Sequence, residues 1–154
     1  LSRPKKGRLK SWKLCDYYVK LYGSNEYLKK NPKIIDIKDL TNHKFVNYAD
    51  ELIEFPELHY LQEINSNPNI VFSSNSLRSQ LLAVKHGIGI GLLHSFVAYK
   101  EKDLKVILPE KINIKREYWI VVHENNFHLR RIKAVTDFVT TILNDEKKFL
   151  STVE

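Results

Sequence analysis

The sequence predicts an α/β domain with a largely parallel sheet. Runs rich in Tyr, Val, Ile and Phe alternate with amphipathic segments, Gly and Asn-Pro punctuate the junctions, and no internal repeat or low-complexity stretch interrupts the pattern. At 154 residues, 43% of them hydrophobic, the chain can bury one core but is too short for two independent domains.

In chain order, residues 1–11 are basic and broken by Pro4 and Gly7, which predicts an extended lead-in. Residues 14–22 have the Tyr and Val content of a strand, ended by Gly23. Ser24 is placed to cap a short helix over 25–30, closed by Asn31-Pro32. A helical turn is expected at 36–40, a strand at 44–48 and an acidic loop at 49–55. Pro56 suits a first helical position, with Leu58, Leu61 and Ile64 on one face of a helix over 57–64. A loop at 65–69 and a strand at 70–73 lead to a helix capped by Ser76. Its apolar residues are Leu77, Leu81, Leu82 and Val84, and it ends at Gly87. A buried strand follows at 88–92, a short helix at 94–100, and strands at 104–108 and 117–123. Leu129, Ile132, Val135, Phe138, Val139, Ile142 and Leu143 mark one face of a long final helix, and 144–154 form a charged tail.

Charge and composition narrow the function classes. The formal net charge is +7, but residues 1–20 hold seven basic residues and one acid, so nearly all the excess sits at one end. Residues 45–77 contain no Lys or Arg and five acids, Asp50, Glu51, Glu54, Glu57 and Glu63. No apolar run approaches the roughly 20 residues a bilayer span needs, and no membrane partner is expected. The basic start leads into Trp12-Lys13 and not into an apolar segment, so it does not read as a signal peptide. A single Cys15 excludes an internal disulfide, fits a reducing compartment and reads as a packed thiol. The chain has no Met and begins Leu-Ser-Arg-Pro, which reads as a fragment of a longer protein.

Each candidate motif has a plain structural alternative. Gly87-Ile88-Gly89-Ile90-Gly91 follows a helix and opens a strand, the reverse of a dinucleotide fingerprint, and reads as a helix end plus close backbone packing. His43, His59, His86, His94, His123 and His128 show no i,i+4 pair on one helix and no nearby Cys, so no metal is expected. No Gly-x-Ser-x-Gly elbow supports a nucleophile. Ser73-Ser74-Asn75-Ser76 is more informative: one residue suffices for a cap, and four suggest a pocket wall that hydrogen-bonds a small molecule.

The order of segments resembles the effector-binding domain of LysR-type transcriptional regulators. The resemblance rests on Arg3-Pro4-Lys5-Lys6-Gly7-Arg8-Leu9, Leu21-Tyr22-Gly23-Ser24-Asn25-Glu26-Tyr27-Leu28, Asp39-Leu40-Thr41-Asn42-His43-Lys44-Phe45, and Ser74-Asn75-Ser76 with Gln80-Leu81-Leu82-Ala83-Val84. Gly87-Ile88-Gly89-Ile90, residues 106–110 and Arg116-Glu117-Tyr118-Trp119-Ile120-Val121-Val122-His123 complete it, from about residue 2 to 143. It implies a type 2 periplasmic-binding-protein-like, two-lobed fold with its second lobe complete and its first lobe only partly present. Residues 1–13 would be a basic inter-lobe crossing segment, 14–112 the second lobe, 113–143 the return strand and helix of the first lobe, and 144–154 a charged tail.

The resemblance places effector-binding residues at Tyr48, Ala49 and Asp50, at Ser74, Asn75 and Ser76, and at Arg3. His94 stands where many members have Pro; it is a further candidate effector-binding residue and adds a titratable group near the cleft. The acidic Asp50, Glu51 and Glu54 would repel a small carboxylate, so the expected effector is neutral or cationic, or an anion held wholly by the helix start.

The leading function is then a cytoplasmic, homo-oligomeric sensing domain. It binds a small-molecule effector in an inter-lobe cleft, modulates a DNA-bound oligomer, and does no chemistry. It takes no cofactor and reaches DNA only through an N-terminal winged helix-turn-helix absent from this chain. The alternative is a solute-binding protein of a transport system, with the same fold. Direct nucleic-acid binding through residues 1–20 is a third class, which a gel shift with a steep salt slope would reveal.

Overall fold

A computed structural model describes residues 8–49 and 59–146. These residues form two compact units, one of residues up to Tyr18 together with those from Lys115 on, the other Val19–Ile114.

The larger unit is a sheet with helices against it; the first strand enters it at Val19, and all but the start of the last strand belongs to the smaller unit. Strand β1 (Leu9–Ser24) is followed by α1 (Asn25–Lys30), a 3₁₀ turn (Ile37–Asn42), β2 (Lys44–Asn47), a second turn (Tyr60–Glu63) and β3 (Asn69–Ser73). Then come α2 (Leu77–Lys85), β4 (Ile90–His94), α3 (Ser95–Ala98), β5 (Leu104–Ile107) and β6 (Asn113–His123). The strand order is β3-β2-β4-β1-β5, with β6 also pairing β1. The expectation of a largely parallel sheet holds for only part of it. β2 runs parallel to β3 and β4, whereas β1 runs antiparallel to both β4 and β5. The parallel strands are those joined through intervening turns and helices, as crossover geometry requires.

β4 lies between β2 and β1, so all five of its residues are buried. Val84, Ala83 and Ala98 pack with Tyr22, Val46 and Leu93 as one apolar cluster. The buried face of α2 is Gln80, Ala83 and Val84, while Leu82, expected inside, is exposed. α2 ends in a Schellman motif: the Gly87 N–H donates to the Val84 carbonyl, the Ile88 N–H to that of Ala83, and Gly87 takes φ +71°. Gly89 and Gly91 serve close packing. A Cβ on Gly89 would lie 2.6 Å from the Lys44 carbonyl oxygen, and one on Gly91 2.8 Å from Val84.

Several boundaries differ from expectation. Ile88 is exposed and the buried strand starts at Ile90, because the Schellman turn consumes Ile88. β5 stops at Ile107, since Leu108 takes φ +49°, outside strand geometry. The described part of the expected helix over 57–64 is a 3₁₀ turn, and Pro56 lies outside the described residues. The lead-in is already strand from Leu9.

In the smaller unit the β1 and β6 segments are tied by Lys13, whose ammonium reaches Asp16 at 2.6 Å and Glu117 at 2.8 Å. Lys115 meets Asp16 at 3.1 Å, and Tyr17 stacks on Tyr118 at 4.3 Å. The Trp119 indole N–H donates to Glu117 at 3.0 Å. Cys15 is buried. α4 (Arg130–Asp145) buries none of its residues fully; Val135 and Phe138 are 61% and 65% exposed.

Candidate functional site

Because β2, β3 and β4 are parallel, their C-terminal residues Asn47, Ser73 and His94 lie along one edge of the sheet. In sheets of this kind ligands sit outside those strand ends. Each strand hands over there to a segment carrying expected site residues: β2 to Tyr48 and Ala49, β3 to Ser74, Asn75 and Ser76, and β4 to α3, with His94 as its N-cap residue.

The first two segments are joined directly. The Ala49 N–H donates to the Asn75 Oδ1 at 3.0 Å, and the Ser74 N–H to the Asn47 carbonyl at 3.0 Å. Ser76 caps α2, its Oγ accepting from the Ser79 N–H at 3.3 Å, and the Ser74 Oγ accepts from the Ser76 N–H at 3.2 Å. The Gln80 amide, 1% exposed, donates to the Ser74 carbonyl. These bonds give each small polar residue a local role: Ser74 shapes the turn, Asn75 clasps the neighbouring strand end and Ser76 caps the helix. What the wall offers outward is the N-terminal end of α2, with Arg78 and no acid in its first turn, which favours an electron-rich acceptor.

His94 reaches this region through rings. It meets Tyr60 edge-on with centroids 6.2 Å apart, and Tyr60 meets Tyr48 at 6.1 Å. His94 is 4% exposed, and burial pushes its pKa down to about 4, so its ring is neutral at pH 7. It is therefore a ring in the wall's support and not a ready proton carrier. Arg3 and Asp50 lie outside the described residues.

Sequence reasoning missed Tyr60 and Gln80. Tyr60 falls off the apolar face of the helix expected over 57–64, so periodicity had no place for it. Gln80 did leave a signal: a polar residue four positions after the Ser76 cap, on the side of α2 that packs inward. Among the described residues no group of three or more His, Cys, Asp or Glu is placed to hold a metal, and no helix is long and apolar enough to cross a membrane. A polar hollow of about 400 Å³ lies at the opposite end of α2, between Lys29, Lys85, His86 and Asp103.

The parallel strand ends, the capped helix and the antiparallel strand beside them define a mixed α/β class of domain. The sequence matches the family described as LysR substrate binding domain over residues 1–143, and the chain belongs to that family. Among solved structures it is similar to the regulatory domain of CrgA, a LysR-type transcriptional regulator from Neisseria meningitidis, at 19% identity and a TM-score of 0.73, covering 92% of this chain and 72% of that one. It is similar to the Synechocystis PCC6803 CcmR regulatory domain in complex with 2-PG, at 12% identity and a TM-score of 0.72, covering 94% of this chain and 71% of that one. Full-length AphB of Vibrio cholerae, a virulence activator of the same family, matches at 16% identity and a TM-score of 0.71, covering 90% of this chain and 49% of that one. No match was found among curated proteins. The fold is that of LysR regulatory domains, the type 2 periplasmic-binding-protein-like fold.

Proposed function

We propose that this chain is the sensing part of a bacterial LysR-type transcriptional regulator and that its small-molecule effector binds against Tyr48, Ala49 and Ser74–Ser76. The observation that carries this reading is the Ala49–Asn75 clasp at the C-terminal edge of the parallel strands, beside the capped start of α2. Family membership supports a regulatory and not an enzymatic role, and the CcmR complex with 2-PG supports a small ligand. Effector binding favours one arrangement of a cytoplasmic homo-oligomer, and it shifts how that oligomer sits on DNA through a winged helix-turn-helix outside this chain. Such a shift requires different effector affinity for the two arrangements. Asp50 and Arg3 remain proposed contacts. The acidic run that starts at Asp50 favours a neutral or cationic effector, or an anion held by the α2 start alone.

In a reporter assay of the whole regulator, Asn75→Ala and Ser76→Ala are expected to weaken the effector response while operator affinity stays unchanged. An unchanged response in both would remove this wall from the site. Calorimetry with a panel of small acids and amines tests the charge preference: tight dicarboxylate binding that ignores both Asp50→Ala and Ser76→Ala would overturn it.

A further inference from the structure

We propose that His94 is a positioning residue for this wall: its ring holds Tyr60 against Tyr48 and so fixes the strand end that presents Ala49 to Asn75. The role rests on the effector reading, since it concerns the same wall.

The argument is geometric. His94 is the last residue of β4, paired with Val19 of β1. Its ring lies at 90° to Tyr60 with centroids 6.2 Å apart, and 5.4 Å from Phe96 across a 37° tilt. Tyr60 in turn stands at 61° to Tyr48, 6.1 Å away. Tyr60 is 1% exposed and Tyr48 8%, so both rings of this chain of contacts are packed in the interior. Tyr48 is bonded to Ala49, whose N–H closes the clasp to Asn75. A displacement at position 94 therefore passes through two rings and one peptide bond to the wall. Edge-to-face pairing is directional, so an aliphatic side chain of similar volume would fill the space without setting the Tyr60 angle.

The array must also stay uncharged. The phenol ring of Tyr60 faces His94, with Tyr48 beyond it. The elements packed around it further carry His59 and Glu63 on the Tyr60 turn, Lys44 on β2, Arg78 and Lys85 on α2, and Lys20 one register step away on β1. Burial is the cause that lowers the His94 pKa, so a proton placed on the ring puts charge into an apolar setting and loosens the array. A phenylalanine at 94 keeps the ring and removes the titration.

Amide hydrogen exchange on the whole chain tests this without an effector. His94→Ala is expected to cut protection at Ala49 by more than tenfold relative to the β4–β1 amides, and His94→Phe to restore it. After correction for intrinsic exchange, wild-type Ala49 protection is expected to fall between pH 6.5 and 4 more than that of β1, and this fall is expected to be absent in His94→Phe. Uniform loss across the sheet in His94→Ala, or the same acid-linked loss in His94→Phe, would overturn the proposal. Failure here removes the positioning role alone, because failure of the effector reading shows separately, in the reporter response of the Asn75 and Ser76 variants.

Discussion

Asn75 bonds a backbone N–H 26 residues away, which makes it the residue on which the wall's shape turns. Its removal should cost little stability, about 1 kcal/mol, because the freed N–H of half-buried Ala49 can still be reached by water. The larger effect is expected on effector response. Gly89 is the opposite case, far from ligand chemistry and intolerant of change. A Cβ there would overlap the Lys44 carbonyl, so the strands would have to part. Gly89→Ala is predicted to lower stability by about 1–3 kcal/mol, read as a lower urea midpoint with an unchanged slope. Gly→Ala substitution at an unconstrained loop site would change little, so a neutral Gly89→Ala would contradict the close β2–β4 contact. Caps and helix-ending glycines were legible in the sequence: Ser24, Ser76 and Gly87 play the roles their neighbours predict, since those roles depend on bonds within four residues. The Asn75 partner was not legible, because the sequence does not state which strand end folds alongside it.

At the scale of elements, α4 is the part of the fold without cover among the described residues. Its predicted stripe is present, yet Val135, Phe138 and Ile142 are all exposed, and grooves of about 760 and 420 Å³ run beside it, lined by Phe127, Thr136 and Val139 among others. An apolar face of this kind drives association. The isolated 154-residue chain is predicted to gain mass with concentration in static light scattering, and Val135→Thr with Phe138→Lys to flatten that rise. A constant monomer mass for the wild type would count against it. The same scale explains the half-correct sheet. Segment order predicted crossovers and hence parallel strands, which is right for β2, β3 and β4. Nothing local signals that β1 inserts antiparallel beside β4, because that pairing joins residues some 70 positions apart in the chain.

For the molecule as a whole, the +7 charge is less available than it looks. Lys13 and Lys115 are engaged with Asp16 and Glu117, and the Lys10 ammonium sits 4.1 Å over the Phe127 ring. Acid should destabilise the fold in two windows. His94 has its folded pKa pushed by burial to about 4, below the ordinary 6.5, so its contribution is complete above pH 6.5 and lost as pH falls toward 4. This is on the order of 3 kcal/mol, and His43, also lowered by burial, adds to the same window. Glu117, lowered by its hydrogen bonds from Lys13 and Trp119, and Asp16, where bonds from Lys13 and Lys115 outweigh an upward push from burial, contribute above the ordinary carboxylate range. Their share is lost only at lower pH. Urea titrations at pH 7.5, 5.5 and 4 should show stability falling before the carboxylates titrate, and His94→Phe should reduce that early loss; an equal early loss in the variant would exclude His94 as its source.

By itself the sequence determined the alternation of strands and helices, the caps, the glycine end of α2, the acidic run from Asp50 to Glu57 and the family resemblance. All of these are written in local periodicity, local hydrogen bonding and residue order. Only the tertiary structure decided that β1 runs against β4 and β5, that Tyr60 bridges Tyr48 to a buried His94, and that Asn75 reaches across to hold Ala49. Those outcomes depend on which distant segments share a face once apolar surface is buried, and burial, which no short window of sequence contains, sets both the packing and the charge state of His94.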